Sequence, residues 1–505
     1  MSENFLNDKL FSNFEKSEKI FIQTENSQYS FKEFNQLCNK IANFLLVSKI
    51  KANDRVLVKL EKSVICLAIY IATIRAGCIY IPVNTSYTPP EIDYFIENSQ
   101  PSLFIANYES IKNISNKNIK TAQLENDLSG PFLEKIKSQK NIFEPIKRDK
   151  DDIASILYTS GTTGRSKGAM LTHNNLVSNT KSLFKIWKFS DNDILLHALP
   201  IYHIHGLFVA FNICLFCGAK INFLEKFELE TVIEKLPKST VMMGVPTYYT
   251  RMLQSQNLNH SLTKNIRLFI SGSAPLLSET HKEFESKTGH KILERYGMTE
   301  TNMNTSNPYD GERKAGTVGF PLPGINVRIT NPKNGEKLGV DKIGMIEIKG
   351  GNVFSGYWKM KKQTNSSFTK DGFFVTGDLG KFSSDGYLSI IGRDKDLIIQ
   401  HFKDDATAGN RAKEAKFEGK GELNADISGR LFGVLHEHQI DTHFIGYNGT
   451  REHRCHKVDI IPIEVIVEEM RHEFGYIPGE LNSRNIGLPD HSRSSGVDIT
   501  HIASR

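Results

Sequence analysis

Tyr158-Thr-Ser-Gly-Thr-Thr-Gly-Arg-Ser-Lys-Gly168 is a run of hydroxyls and glycines carrying a single lysine. It follows the apolar residues 153–157, which read as a short buried strand. Gly161, Gly164 and Gly168 let the backbone turn tightly and bring its amides close to an anion. Thr159, Ser160, Thr162 and Thr163 add hydroxyl donors, and Lys167 adds a point charge suited to phosphate. The combination points to a polyphosphate, ATP. A Walker loop, G-x-x-x-x-G-K-[ST], is excluded: Lys167 follows Ser166 rather than glycine and precedes Gly168 rather than Ser or Thr.

Around this loop the chain alternates helical and strand patterns. Residues 31–47 carry apolar side chains at helical spacing (Phe34, Leu37, Ile41, Leu45) behind Ser30, a good N-cap. Residues 55–60 read as a strand, 64–76 as a buried helix ending at Gly77, and 78–83 as another strand. Further strands are expected at 194–199, 220–223, 241–245 and 268–271, and together they predict a parallel sheet flanked by helices. From about residue 316 the strands shorten and glycine turns separate them, which predicts a β-rich subdomain over about 316–392. The pattern predicts an α/β fold with a large domain over 1–392, and a separate region of different texture over 393–505.

Composition narrows the function classes. The 39% hydrophobic and 24% charged residues are those of an ordinary globular chain. The net charge of +6 is spread without a long basic block, which argues against nucleic acid as a partner. Apolar runs at 64–73 and 206–219 are too short to cross a bilayer, and the first residues lack a signal-peptide pattern. Six scattered cysteines make no disulfide framework, and Cys214-x-x-Cys217 has no second pair, so buried thiols are expected there rather than a metal. These features predict a reduced, soluble, cytoplasmic protein.

Two further motifs lie downstream. Glu294-Arg-Tyr-Gly-Met-Thr-Glu300 offers a carboxylate for Mg²⁺, a hard cation that bridges phosphates using few protein oxygens; its alternative is a turn ending a helix. Val375-Thr-Gly-Asp378-Leu-Gly, followed by Gly392-Arg393-Asp-Lys395, offers one carboxylate that can accept both ribose hydroxyls, or else a type II turn.

The three motifs, in this order and spacing, resemble the adenylate-forming superfamily of acyl-CoA synthetases, luciferases and peptide-synthetase adenylation domains. The resemblance implies that Lys167 and the loop hydroxyls hold the phosphates and that Thr299 lies near the α-phosphate. It places Glu300 and Thr163 at Mg²⁺, Tyr296 and Gly297 on the adenine, Asp378 and Arg393 at the ribose, and Lys395 at the hinge of a C-terminal cap. Three stretches are similar to the malonyl-CoA synthetases in particular: Leu199-Pro-Ile-Tyr-His-Ile-His-Gly-Leu-Phe-Val-Ala210, Met243-Gly-Val-Pro-Thr-Tyr-Tyr-Thr-Arg251, and 294–313. That likeness implies malonate, ATP and CoA as substrates. It points to Arg251 as the bidentate clamp on the carboxylate that is not activated, with His203, His205 and Ser271 or Ser273 nearby. Arg251 also reads as a surface arginine on an amphipathic helix, and His205 as a packed histidine in an apolar segment.

The resemblance covers about residues 20–399 and breaks off after Gln400, where the family continues with a small α+β cap; it implies a divergent or incomplete cap over 393–505. Faint echoes of the family's cap return at Asp459-Ile-Ile-Pro-Ile-Glu-Val and Asn485-Ile-Gly-Leu-Pro-Asp490. The family's cap carries a lysine in a Gly-Lys-x-x-Arg-like setting, and no such segment is present; Lys420 sits in a different context. Three readings follow: a malonate-activating ligase, a ligase for another short-chain or aromatic acid, or an ATP-binding protein whose turnover is impaired by a defective cap.

Overall fold

Ser30 caps helix Phe31–Val47 by a capping box: its hydroxyl accepts from the Glu33 amide at 3.1 Å, and the Glu33 carboxylate accepts from the Ser30 amide at 2.8 Å. The pair satisfies donors that the first turn leaves open. Phe34, Cys38, Ile41 and Leu45 bury one face of this helix against helix Val64–Arg75, every residue of which is buried. The computed structural model describes residues 3–159 and 165–394. The chain divides into two units, Met1–Ile391 and Gly392–Arg505, and the described residues belong to the first apart from 392–394.

The sequence pattern predicts one parallel sheet; the structure has two. Six strands form the first, in the order Thr121–Gln123, Leu103–Ala106, Arg55–Lys59, Ile79–Pro82, Ile153–Thr159 and Lys167–Thr172. All neighbours are parallel except the last pair, an antiparallel hairpin in which Thr159 faces Lys167. A hairpin partner needs no crossover helix and here becomes the sheet edge, so the strands that follow build a second sheet.

That second sheet has nine strands. Its parallel centre runs Leu293–Met298, Leu268–Ser271, Val241–Gly244, Ile194–His197, Lys220–Phe223 and Ile20–Gln23, with antiparallel strands at both margins. Glu294-Arg-Tyr-Gly-Met298 thus lies inside a strand, not at the end of a helix. Ile325–Thr330, Gly344–Gly350, Phe374–Phe382 and Leu388–Arg393 make a separate four-stranded sheet, and Thr376-Gly-Asp378 lies within a strand rather than in an isolated turn. The apolar run after Tyr202 forms a π-helix, His205–Phe211, continued by helix Asn212–Cys217; π-turns are rare and frequent at functional sites.

Cys38, Cys66, Cys78, Cys214 and Cys217 are free and buried. Burial pushes the Cys38 thiol up to about 12 and Cys66 to about 11, so both are inert. Among the described residues no cluster of three or more His, Cys, Asp or Glu could hold a metal, and no helix is long and apolar enough to cross a membrane.

Candidate active site

The hairpin 153–172, the turn after Leu293–Met298 and the segment 354–358 converge on one spot. Thr159 donates its hydroxyl to the Lys167 carbonyl at 3.4 Å, which fixes the base of the glycine loop. Lys167 lies 5.2 Å from the centroid of the Tyr357 ring, and the Tyr357 hydroxyl donates to Glu300 Oε1 at 2.9 Å. Glu300 is only 7% exposed. The lysine and carboxylate read from two separate motifs are therefore joined through a tyrosine that sequence reasoning passed over. Ser160, Gly161, Thr162, Thr163, Gly164 and Lys395 lie outside the described residues.

Tyr296 and Asp378, drawn from two further motifs, also meet: the Tyr296 hydroxyl donates to the Asp378 carboxylate. Asp378 is buried, and its amide donates to Thr376 Oγ1 at 3.0 Å. Gly297 has to be glycine, since a Cβ there would stand 2.1 Å from the Asn302 carbonyl oxygen. Thr299 is half-buried in the turn between Met298 and Glu300, and Arg393 is exposed at the end of its strand.

The most unusual electrostatics belong to Arg295, the residue after Glu294 in the same strand. It is 3% exposed and has no carboxylate partner among the described residues. Successive strand residues face opposite sides of a sheet, and Glu294 is taken by His281 Nδ1 at 3.2 Å on the other side. Gly272 makes the room: a Cβ there would lie 2.4 Å from Arg295 Cζ. Burial lowers the Arg295 guanidinium to about 9, still cationic at neutral pH. Its Nη2 donates to Ser273 Oγ at 3.4 Å, and Ser273 Oγ lies 3.3 Å from His205 Nδ1. That order makes Nδ1 the acceptor and leaves the proton on His205 Nε2. His205 is buried, which holds its pKa well below the usual value, with Arg295 adding to the effect, so the ring is neutral.

Three buried polar atoms here lack a hydrogen-bond partner among the described residues: Arg295 Nε and His205 Nε2 in this cluster, and Ser271 Oγ at the end of the neighbouring strand. Two are N–H donors and the third a hydroxyl able to donate. Ser273 is exposed and held at φ 77°, a strained value for serine, so the cluster reaches solvent beside it. An arrangement of donors around a buried cation suits a carboxylate.

The structure places the other acid-binding candidates differently. Arg251 lies on helix Pro246–Leu253, which begins at Pro246 as its sequence predicts, but the side chain is exposed and rests 4.6 Å over the Phe227 ring. Phe227, Lys62, Tyr202 and Tyr248 line a cavity of about 310 Å³ at the carboxyl ends of strands from both large sheets, the usual place for a ligand in open α/β folds. His203 is exposed beside Tyr202. The sequence analysis points to Arg251; Arg295, within the quoted motif, is the arginine that the structure buries. As for a metal, Glu300 supplies one buried, oriented oxygen donor beside a phosphate-type lysine, and Mg²⁺ needs only one or two protein carboxylates when phosphates complete its shell. The residues present fit it.

The family described as AMP-binding enzyme matches residues 12–358. A second family, SAICAR synthetase, matches 389–493, where the first likeness breaks off and within which both echoes of the cap lie. The solved ATP-bound MatB of Rhodopseudomonas palustris is 48% identical, with a TM-score of 0.77 over 79% of this chain and 80% of that one. The malonate–CoA ligase of Arabidopsis thaliana is 35% identical over 65% of this chain and 58% of its own length. A long-chain-fatty-acid–CoA ligase of Bacillus subtilis is 31% identical over 71% of each chain. This chain thus spans less than two thirds of the length of the malonate–CoA ligases it matches.

Proposed function

The chain belongs to the AMP-binding enzyme family, and on that premise we propose that it activates a short dicarboxylate, malonate, with ATP and passes the acyl group to the thiol of CoA. In the first step a substrate carboxylate oxygen attacks the α-phosphorus in line and pyrophosphate leaves. Lys167 and the hydroxyls of 159–163 hold the phosphates, Thr299 faces the α-phosphate, Tyr296 and Gly297 pack on the adenine, and Asp378 and Arg393 hold the ribose. Glu300, with Thr163, holds Mg²⁺, which when bound offsets negative charge on the phosphates. In the second step the CoA sulfur attacks the acyl carbonyl and AMP leaves, after a rotation about Lys395.

The observation that carries the choice of acid is the buried Arg295 guanidinium among unpartnered donors. A buried cation without a counter-ion costs several kcal/mol, a cost that a bound carboxylate relieves. Acetate or a fatty acid has no second carboxylate to meet it. We place the distal carboxylate of malonate on Arg295, Ser271, Ser273 and His205, with His203 and Arg251 toward the mouth. The names of the relatives point the same way, since the R. palustris and A. thaliana proteins are a MatB and a malonate–CoA ligase.

A second reading, an ATP-binding protein without turnover, is favoured by the SAICAR synthetase match that begins near the expected hinge. ATP–pyrophosphate exchange across malonate, acetate, butyrate and benzoate tests both. Exchange with malonate well above the others is expected. Equal exchange with acetate would sink the dicarboxylate assignment, and ATP binding without exchange would leave the second reading.

A further inference from the structure

We propose that Tyr357 is the positioning residue that sets Glu300 and Lys167 for the metal–nucleotide complex; this rests on the roles of those two residues proposed above. The hydroxyl of one buried ring takes Glu300 Oε1 at 2.9 Å, while the ring's face takes Lys167 Nζ at 5.2 Å from its centroid. Lys167 meets the face of that ring and Glu300 its hydroxyl, at separate points of one side chain. Opposite charges this close to one aromatic side chain would otherwise collapse together and close the space that phosphate and cation need. Tyr357 instead offers each charge a separate partner: a hydroxyl donor for the carboxylate and a negative ring face for the ammonium.

The ring can hold that position because its backbone is tied on both sides. Ala169 and Tyr357 form an antiparallel bridge, the Met170 amide donates to the Gly356 carbonyl at 2.9 Å, and the Trp358 amide donates to the Gly168 carbonyl at 2.7 Å. These bonds fasten 356–358 to the strand that starts at Lys167. From the other side the Phe354 amide donates to the Glu300 carbonyl at 2.7 Å, and the Phe354 ring meets Tyr357 edge-on at 4.8 Å. Thr364 Oγ1 accepts the Tyr357 amide at 2.9 Å. The segment 354–358 is thus anchored to the lysine strand and to the carboxylate turn at once, and Tyr357 converts those anchors into a fixed placement of two charges.

Calorimetric titration of the full chain with ATP, in Mg²⁺ and in EDTA, tests this. Tyr357→Phe keeps the ring under Lys167 and loses only the hydroxyl. It is expected to weaken ATP binding in Mg²⁺ by about tenfold and to leave metal-free ATP unchanged. Tyr357→Leu also removes the ring face and is expected to weaken metal-free ATP as well. In a Glu300→Gln background, Tyr357→Phe is expected to add nothing, because its effect passes through that carboxylate. Equal weakening with and without metal, or full additivity with Glu300→Gln, would mark Tyr357 as structural and overturn the proposal. A damaging Glu300→Gln beside a silent Tyr357→Phe sinks this inference alone. A silent Glu300→Gln sinks the assignment of Glu300 and the inference with it.

Discussion

Arg295 is where residue-level physics and function separate most cleanly. A buried guanidinium with no anion among the described residues is a liability for folding, and Gly272 gives up a side chain to admit it. If the group exists to meet a carboxylate, removing it lowers affinity without lowering stability. Arg295→Met is therefore expected to raise the malonate Kd on the order of tenfold or more, the worth of a charge-assisted contact. Acetate binding should stay as it was, and the melting temperature should hold or rise. Arg251→Ala, which removes an exposed arginine resting on Phe227, should change malonate binding less. Calorimetry with both acids and a thermal melt decide the matter; a larger effect at Arg251 would return the clamp to that residue. Motif chemistry pointed to the kind of residue, an arginine beside Ser271 or Ser273. Which arginine is buried depends on a contact between Gly272 and a strand more than twenty positions on, which spacing does not reveal. Tyr357 was hidden for the same reason: neither its distance from Lys167 nor from Glu300 follows from spacing.

At the level of elements, two buried histidines tie pieces of the fold together in a way that makes it acid-sensitive. His173 opens helix His173–Ile186, and its Nδ1 accepts the Leu6 amide at 3.1 Å, docking the N-terminal helix Phe5–Leu10. His197 ends strand Ile194–His197; its Nε2–H donates to the Gly206 carbonyl at 2.8 Å, holding the start of the π-helix, and its Nδ1 accepts from Lys62 at 3.0 Å. Burial lowers His173 to about 4 and His197 to about 3, the Lys62 amine adding to the second. An unfolded histidine titrates near 6.5, so below that pH the unfolded chain binds protons that the folded one refuses. Their contribution is complete above pH 6.5 and is lost as pH falls, by roughly 1.4 kcal/mol per unit for each histidine. Urea unfolding at pH 7 and pH 5 should show that loss, and replacing both histidines by Gln should flatten it; an unchanged slope would reject the account. Most such elements were legible from periodicity and caps, as with Ser30 and helix Phe31–Val47 or Pro246 and its helix. Periodicity did not reveal the division into two sheets, which depends on the antiparallel pairing of Lys167 with Thr159 across the glycine loop. Nor did it reveal the π-helix, whose first turn is set by His197 from another strand.

For the whole molecule the decisive feature is the change of kinship along the chain. Likeness to AMP-binding enzymes ends at residue 358 in one comparison, and likeness to SAICAR synthetase takes over from 389. The three sheets lie before residue 394, and so do Lys167, Tyr296, Arg295, Glu300, Tyr357 and Asp378. Domain cores are largely self-contained, so this part should fold and bind ATP whatever follows it. The proposed thioester step is different, because it needs a cap that turns about the hinge and completes a second site. The segment after residue 389 matches SAICAR synthetase rather than the AMP-binding family, and it holds no Gly-Lys-x-x-Arg-like lysine to support adenylation. The expectation is tight ATP binding, slow malonate-dependent pyrophosphate exchange and almost no malonyl-CoA from the 505-residue chain. A chimera joining residues 1–399 to the cap of a relative such as the R. palustris MatB should restore both steps, because every acid- and nucleotide-contacting residue proposed here lies within 1–399. Measuring malonyl-CoA formation by the two proteins side by side decides between the alternatives. Equal rates would mean that residues after 399 already supply the missing lysine and the swinging surface by other side chains. A chimera that binds ATP yet remains inactive would place the fault in the acid site, and Arg295 would be the first residue to re-examine.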